Sequence, residues 1–266
     1  MNMINWIEVV ILIVSGLLVG FINTLAGGGS IISLSILMFL GLPANIANGT
    51  NRIAILFQNI AAVGSFRQQK VLDHNKGFWL AIPATIGSVL GAWIAVDLNE
   101  EIIEKAIAIV MLIMLFVILY KPQRWLKGKK ELQEKKVNAG QMVLFFIIGV
   151  YGGFLHMGVG YALLAGIVLG AGYDLVKANA IKVMIVLIWS PIILLVFIFH
   201  HQINFKYGLI LSIGNAAGAY IASRLAVKKG ANFVRWVIVA VIILTIAHVF
   251  GLIDIQAFLQ QSIGKS

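Results

Sequence analysis

Apolar residues run along this chain in long blocks separated by short polar stretches. The blocks fall at 4–25, 31–42, 47–66, 77–96, 102–120, 141–155, 162–172, 176–199, 207–225 and 233–252. At about 1.5 Å per residue, most are long enough to cross a hydrocarbon core of about 30 Å. Two are not: 31–42 and 162–172 reach roughly half that thickness. Each follows a glycine cluster, "AGGGS" at 26–30 and "HMGVGY" at 156–161. A glycine in a helix interior costs about 1 kcal/mol relative to alanine, so three in succession predict a break.

Charge then orders the segments. Fourteen of the 20 Lys and Arg lie in three stretches: Arg67 to Lys76, Lys121 to Lys136, and Arg224 to Arg235. The positive-inside tendency places all three in the cytoplasm, with Asp97, Glu100, Glu101 and Glu104 outside. Two blocks, 176–199 and 207–225, separate the last stretch from the hairpin before it. Parity therefore requires 141–172 to enter and return on one side, as a hairpin bent at "HMGVGY". The same logic makes 4–42 a hairpin bent at "AGGGS".

The halves repeat. "NGTNRIA" from Asn48 parallels "ANAIKVM" from Ala178, and "GSVLGAWIA" from Gly87 parallels "GNAAGAYIA" from Gly214. Each half is a broken hairpin followed by three crossings, an odd number, so the halves lie upside down to one another. The expected fold is an all-α polytopic membrane protein of two inverted-topology repeats with about ten helical segments. Its parts are a first repeat at 1–120, a basic cytoplasmic linker at 121–140, a second repeat at 141–252 and a tail at 253–266. Inverted repeats with interrupted helices at matching positions point to a secondary transporter and to its binding site. Unwound backbone is tolerated at membrane depth only where it lines a cavity or is buried in protein.

Composition narrows the class. The chain is 61% hydrophobic and 11% charged, where a soluble domain carries roughly 25% charged residues. The start, "MNMINWIEVV", has no basic n-region and predicts a mature span instead of a signal peptide. The absence of cysteine excludes disulfides, thiolate metal sites and persulfide chemistry. The net charge of +10 sits in loops, which argues against a nucleic-acid partner. Trp6, Trp79, Trp125 and Trp236 fall near span ends, as interfacial anchors do. Gly87, Gly91, Gly214 and Gly218 are spaced for close helix packing. His200 and His201 fall in an outer loop and His248 stands alone, so no metal site is expected.

Candidate chemistry concentrates in one block of each half. Asn48, Asn51, Arg52, Gln58 and Asn59 share an arc of about 120° on block 47–66. Asn179, Lys182 and Trp189 share about 80° on block 176–199. Arg52 and Lys182 occupy equivalent positions. A cation within a span costs about 2.5–3.5 kcal/mol on insertion scales, and all ten acids lie near segment ends or in loops. A bound anion is then one candidate partner. The alternatives are that the two cations snorkel to an interface and that the amides glue helices together. Helix N-termini after the two breaks offer free N–H donors to an anion. The candidate substrate-binding set is Asn23, Thr24, Gly27, Gly28, Gly29, Ser30, Asn48, Asn51, Arg52, Asn59, His156, Gly158, Gly160, Tyr161, Asn179, Lys182 and Trp189. No cofactor is expected.

"GLLVGFINTLAGGGSI" at 16–31, "GLPANIANGTNRIA" at 41–54, "GSVLGAWIA" at 87–95 and "GGFLHMGVGY" at 152–161 together resemble the TauE/SafE family, over about residues 8–250. The family is known as sulfite exporter or probable membrane transporter protein, within the toluene-sulfonate uptake permease superfamily. The resemblance implies an inner-membrane carrier of sulfite, sulfonates or related organic anions. The chain departs from the family pattern at Ser33 and Ser35, where a proline is frequent. It departs again at Asn51 and Arg52, where Ser-Leu is common after Gly-Thr.

The expectation is a secondary carrier that exports a small sulfur-containing anion by rocking one repeat against the other. The protein would be multi-pass in the inner membrane, with both termini outside and a homodimer as one option. The rival readings are an anion channel, a carrier of other organic anions, a non-transporting scaffold, and uptake in place of efflux. No acid pair, His-Glu-x-x-His or Ser/His dyad sits at matching depth, which argues against an intramembrane enzyme.

Overall fold

Apolar blocks this long can satisfy their backbone in lipid only as helices. In the computed structural model, which describes residues 5–95, 127–154 and 156–249, the regular structure is helical throughout. The elements are α1 (Trp6–Leu25), α2 (Ser30–Phe39), α3 (Ala44–Gln68), α4 (His74–Ala95), the single turn α5 (Lys130–Gln133) and α6 (Ala139–Phe154). Next come α7 (Val159–Ala165), which runs on into a π-helical turn at Gly166–Gly170, then α8 (Leu175–Phe199) and α9 (Phe205–Val249). The expected crossing 102–120, the acidic loop from Asp97 to Glu104, Lys121, Arg124, Trp125 and the tail 253–266 lie outside the described residues.

Among the described helices, Trp6–Leu25, His74–Ile94 and Leu175–Phe199 are long and apolar enough to cross a membrane on length and composition alone. α3 is as long as α8, but its buried polar side chains lower its hydropathy. The distribution of residues is inverted relative to a water-soluble fold. Trp6, Val14, Trp93, Ile147, Phe199 and Ile213 are exposed on the outside, whereas Asn51, Arg52, Gln58, Asn179, Lys182 and Asn215 are buried. That is the pattern of a lipid-facing apolar belt around a polar interior.

Packing pairs elements across the halves. α1 lies along α9, and α4 lies along α6. Both pairs approach backbone to backbone. A β-carbon added at Gly218 would sit 2.0 Å from the Leu17 carbonyl oxygen, and one at Gly91 would sit 1.9 Å from that of Val150. The small-residue spacing of the sequence therefore marks helix contacts, as expected for such stripes.

Both interruptions are present where the glycines predict them. Gly27 (φ +96°) lies between α1 and α2, and Gly158 (φ +72°) caps the start of α7. Side-chain-bearing residues rarely adopt either conformation. The second hairpin returns to the end it entered. Gln141 Nε2 donates to Gly170 O at 2.8 Å, and Lys129 N and Gln133 Nε2 both donate to Gly172 O.

The three basic stretches gather at that same end. Arg224 donates to Gln68 Oε1 at 2.8 Å, and Gln69 Nε2 donates to Ser223 O at 3.5 Å. Lys76 Nζ donates to the carbonyls of Gln133 and Lys135. Tyr173 OH donates to Asp73, and burial together with that bond pushes the phenol above its ordinary pKa. At the opposite end, Tyr207 OH donates to Glu8 at 3.1 Å and Asn204 N donates to Thr50 Oγ1 at 2.9 Å. The two hairpins thus enter from opposite ends of the molecule.

Blocks 207–225 and 233–252 form the two parts of α9, which are separate helices meeting at a kink. Gly230 (φ 78°, ψ −177°) is non-helical there, inside the basic stretch expected to join the two blocks. Both helices run closer to the join than the blocks do, because Arg and Lys are strong helix formers whose long side chains reach water without the helix ending. Only glycine accommodates the backbone at 230 readily.

Candidate functional site

The two interruptions touch one another. A β-carbon added to Gly27 would sit 2.4 Å from Gly160 Cα, and one added to Gly160 would sit 2.4 Å from Gly27 Cα. A β-carbon on Gly28 would collide with the Tyr161 hydroxyl at 2.2 Å. Glycine at these positions therefore reflects contact between the breaks as well as local backbone geometry. Gly29 is the residue before α2, and its own β-carbon would meet Val19 O at 2.9 Å.

Arg52 and Lys182 are each 2% exposed, so neither snorkels. Their partners are backbone carbonyls, which the sequence could not show. Arg52 Nη1 donates to Gly152 O at 3.1 Å and Nη2 to Gly153 O at 3.0 Å. Its guanidinium lies 5.4 Å from the centre of the Phe197 ring. Lys182 Nζ donates to Asn23 O at 2.9 Å and to Thr24 O at 2.8 Å. The final carbonyls of a helix lack intrahelical donors and carry partial negative charge, so a cation is their natural cap. Each cation caps the broken helix of the other half: Arg52 on α3 holds α6, and Lys182 on α8 holds α1.

Around these caps lies a group of buried polar atoms without partners. Both amide atoms of Asn51 and of Asn179 are unpaired, as are Trp189 Nε1, His156 Nδ1, Asn23 Oδ1 and Thr24 Oγ1. An unsatisfied buried polar group costs about 1–3 kcal/mol. The His156 and Trp189 rings meet edge to face, 6.5 Å between centres. A β-carbon on Gly152 would strike Trp189 at 2.9 Å, so the indole packs directly under the end of α6.

A short amide network supports the first break. Asn23 Nδ2 lies 3.3 Å from both Ser30 Oγ and Gln58 Oε1, and Asn215 Nδ2 donates to Gln58 Oε1 at 3.4 Å. Gln58, Asn215 and Phe197 were not in the candidate set. Gln58 had a signal, its place on the α3 polar face, whereas Asn215 lay hidden in a motif read as packing. Two candidates stand apart. Asn59 Nδ2 donates to Ile55 O of its own helix at 2.7 Å, and Asn48 is half-buried four residues before Arg52.

Comparison with known proteins supplies the family. The sequence model of the family described as Sulfite exporter TauE/SafE matches residues 12–249. The probable membrane transporter protein ORF9 of Sinorhizobium sp. is 28% identical over 86% of this chain and 87% of its own length. A probable membrane transporter protein of Haemophilus influenzae is 25% identical over 86% of this chain and 89% of its own. The probable membrane transporter protein YfcA of Escherichia coli K12 is 26% identical over 85% and 83%. No solved structure matches the chain significantly. With a family match across nearly its whole length and a polar, doubly interrupted interior inside an apolar belt, the chain belongs to the TauE/SafE family and is a multi-pass membrane transporter.

Proposed function

We propose that this transporter carries a small sulfur-containing oxyanion, sulfite or an organosulfonate, outward through the junction of its two breaks. The observation that carries this reading is the junction itself: two chain interruptions in contact, bordered by two buried cations and a group of buried donors without partners. The oxygens of an oxyanion accept from Asn51, Asn179 and Trp189, all neutral groups. Arg52 and Lys182 supply positive field, because their own hydrogen bonds already go to carbonyls. The first turns of α2 and α7 add N–H donors and the favourable end of the helix dipole.

Two observations support inverted repeats moving against one another. The hairpins enter from opposite ends, and each half holds the other's broken helix through one cation. Rocking the halves must loosen those caps, and an arriving anion compensates by offering the cations an alternative partner. On the positive-inside tendency the basic end is cytoplasmic and the start of α1 is outside. An inside-negative potential then favours export, by about 2.3 kcal/mol per charge per 100 mV.

Counterflow in proteoliposomes with the potential clamped tests this reading. Sulfite, sulfate, sulfoacetate and taurine should separate into transported and ignored anions, with saturable exchange for a sulfite-like or sulfonate substrate. Stepwise conductance without saturable counterflow, or no movement of any of the four, would discard it.

A further inference from the structure

A cavity of about 420 Å³ lies at the basic end, lined by none of the residues of the central junction. It is within the range of roughly 300–1,000 Å³ typical of small-ligand sites. Asp73, Asn75, Lys76 and Trp79 line it from the start of α4, Gln133 to Val137 from the linker, and Met142 from α6. These elements come from both halves and from the segment that joins them.

The cavity has two chemical sides. Lys76 forms its buried floor, with the ammonium fixed on the carbonyls of Gln133 and Lys135. Asp73 is engaged as well, accepting from the Lys76 backbone N–H and from Tyr173. Lys135 and Lys136 are exposed at the rim beside the equally exposed Glu134, and neither lysine has an ion-pair partner among the described residues. On the other side stand Trp79, 48% exposed, and Met142, 38% exposed, continuous with the outward-facing Phe78 and Val143. Lysines beside an aromatic anchor, with apolar surface leading away, suit a molecule that is anionic at one end and apolar at the other.

We propose that this cavity binds the phosphate-bearing headgroup of an anionic phospholipid, with Lys135 and Lys136 on the phosphate and Trp79 and Met142 along the root of the acyl chains. Occupancy ties α4 and α6 to the linker, so the bound lipid stiffens the basic end. The proposal stands apart from the identity of the transported anion.

The test uses the full-length protein, delipidated in neutral detergent, and follows Tm on adding phosphatidylglycerol, phosphatidylcholine or inorganic phosphate. Phosphatidylglycerol should raise Tm saturably, and a Lys135→Gln, Lys136→Gln double variant should need at least tenfold more lipid for the same rise. A Lys228→Gln, Lys229→Gln double variant, equally reduced in charge but outside the cavity, should respond as the wild type does. Equal protection by phosphatidylcholine, equal loss in both double variants, or full protection by inorganic phosphate would overturn the assignment.

Discussion

The two breaks share a backbone plan and differ in chemistry. The first, Ala26 to Ser30, is almost bare: Gly27, Gly28 and Gly29 keep side chains away from the contact. The second, His156 to Tyr161, brings an imidazole and a phenol to the same contact and keeps glycine only where φ turns positive or Gly27 presses. One half supplies room and the other fills it. The caps are unequal too. Arg52 spreads two nitrogens over neighbouring carbonyls and stacks on Phe197, while Lys182 places one ammonium between two carbonyls. The two breaks therefore meet at one place and bring different side chains to it.

The contact between the breaks should be the most sensitive feature. Gly27→Ala forces a β-carbon into backbone and strains a positive φ, which should cost roughly 3 kcal/mol or more. Detergent-solubilised protein should lose its monodisperse elution peak. A well-folded variant with unchanged Tm would mean the breaks do not press on one another.

Next come the caps. Lys182→Met leaves two carbonyl ends without a donor and should cost about 2–3 kcal/mol. Arg52→Met should cost more, since stacking is lost as well, and Arg52→Lys should recover only part. Thermal unfolding of the three variants ranks them. Equal Tm values for Arg52→Met and Lys182→Met would remove the asymmetry argued above.

A smaller difference lies at the helix starts. Asp174 accepts from the N–H groups of Val176 and Lys177 at the start of α8, whereas α3 starts after Pro43 with no side-chain cap. Asp174→Ala should cost about 1 kcal/mol, read as a modest drop in Tm. Pro43→Ala should change stability less.

The smallest effect on folding is expected from Asn51→Leu and Asn179→Leu. Their amides have no partners to lose, so Tm without ligand should stay level or rise. A large drop in either would show that the amide holds the fold together, which would reassign it to helix packing.

Much of this was legible before any coordinates, because it depends on local cues. Glycine runs and half-length blocks located both breaks, and the polar face of α3 together with Lys182 and Trp189 located the interior. The caps were not legible. Arg52 meets carbonyls 100 residues away, and a backbone acceptor leaves no mark on residue identity. Absence of a nearby carboxylate therefore implied an unpartnered cation, whereas a helix end was serving as the partner. The join near Arg224 is tighter than charge alone suggests: the cationic residues extend both helices up to Gly230, where the chain kinks. The Gln58 to Asn215 bond was hidden because it joins the two halves.

The most direct test of the central junction is the Tm shift produced by saturating sulfite or a taurine-type sulfonate, compared between wild type and an Asn51→Leu, Asn179→Leu double variant. The account predicts a clear rise for wild type and at least a tenfold loss of apparent affinity in the variant, whose unliganded Tm is level with or above that of wild type. Equal protection of both proteins would contradict it.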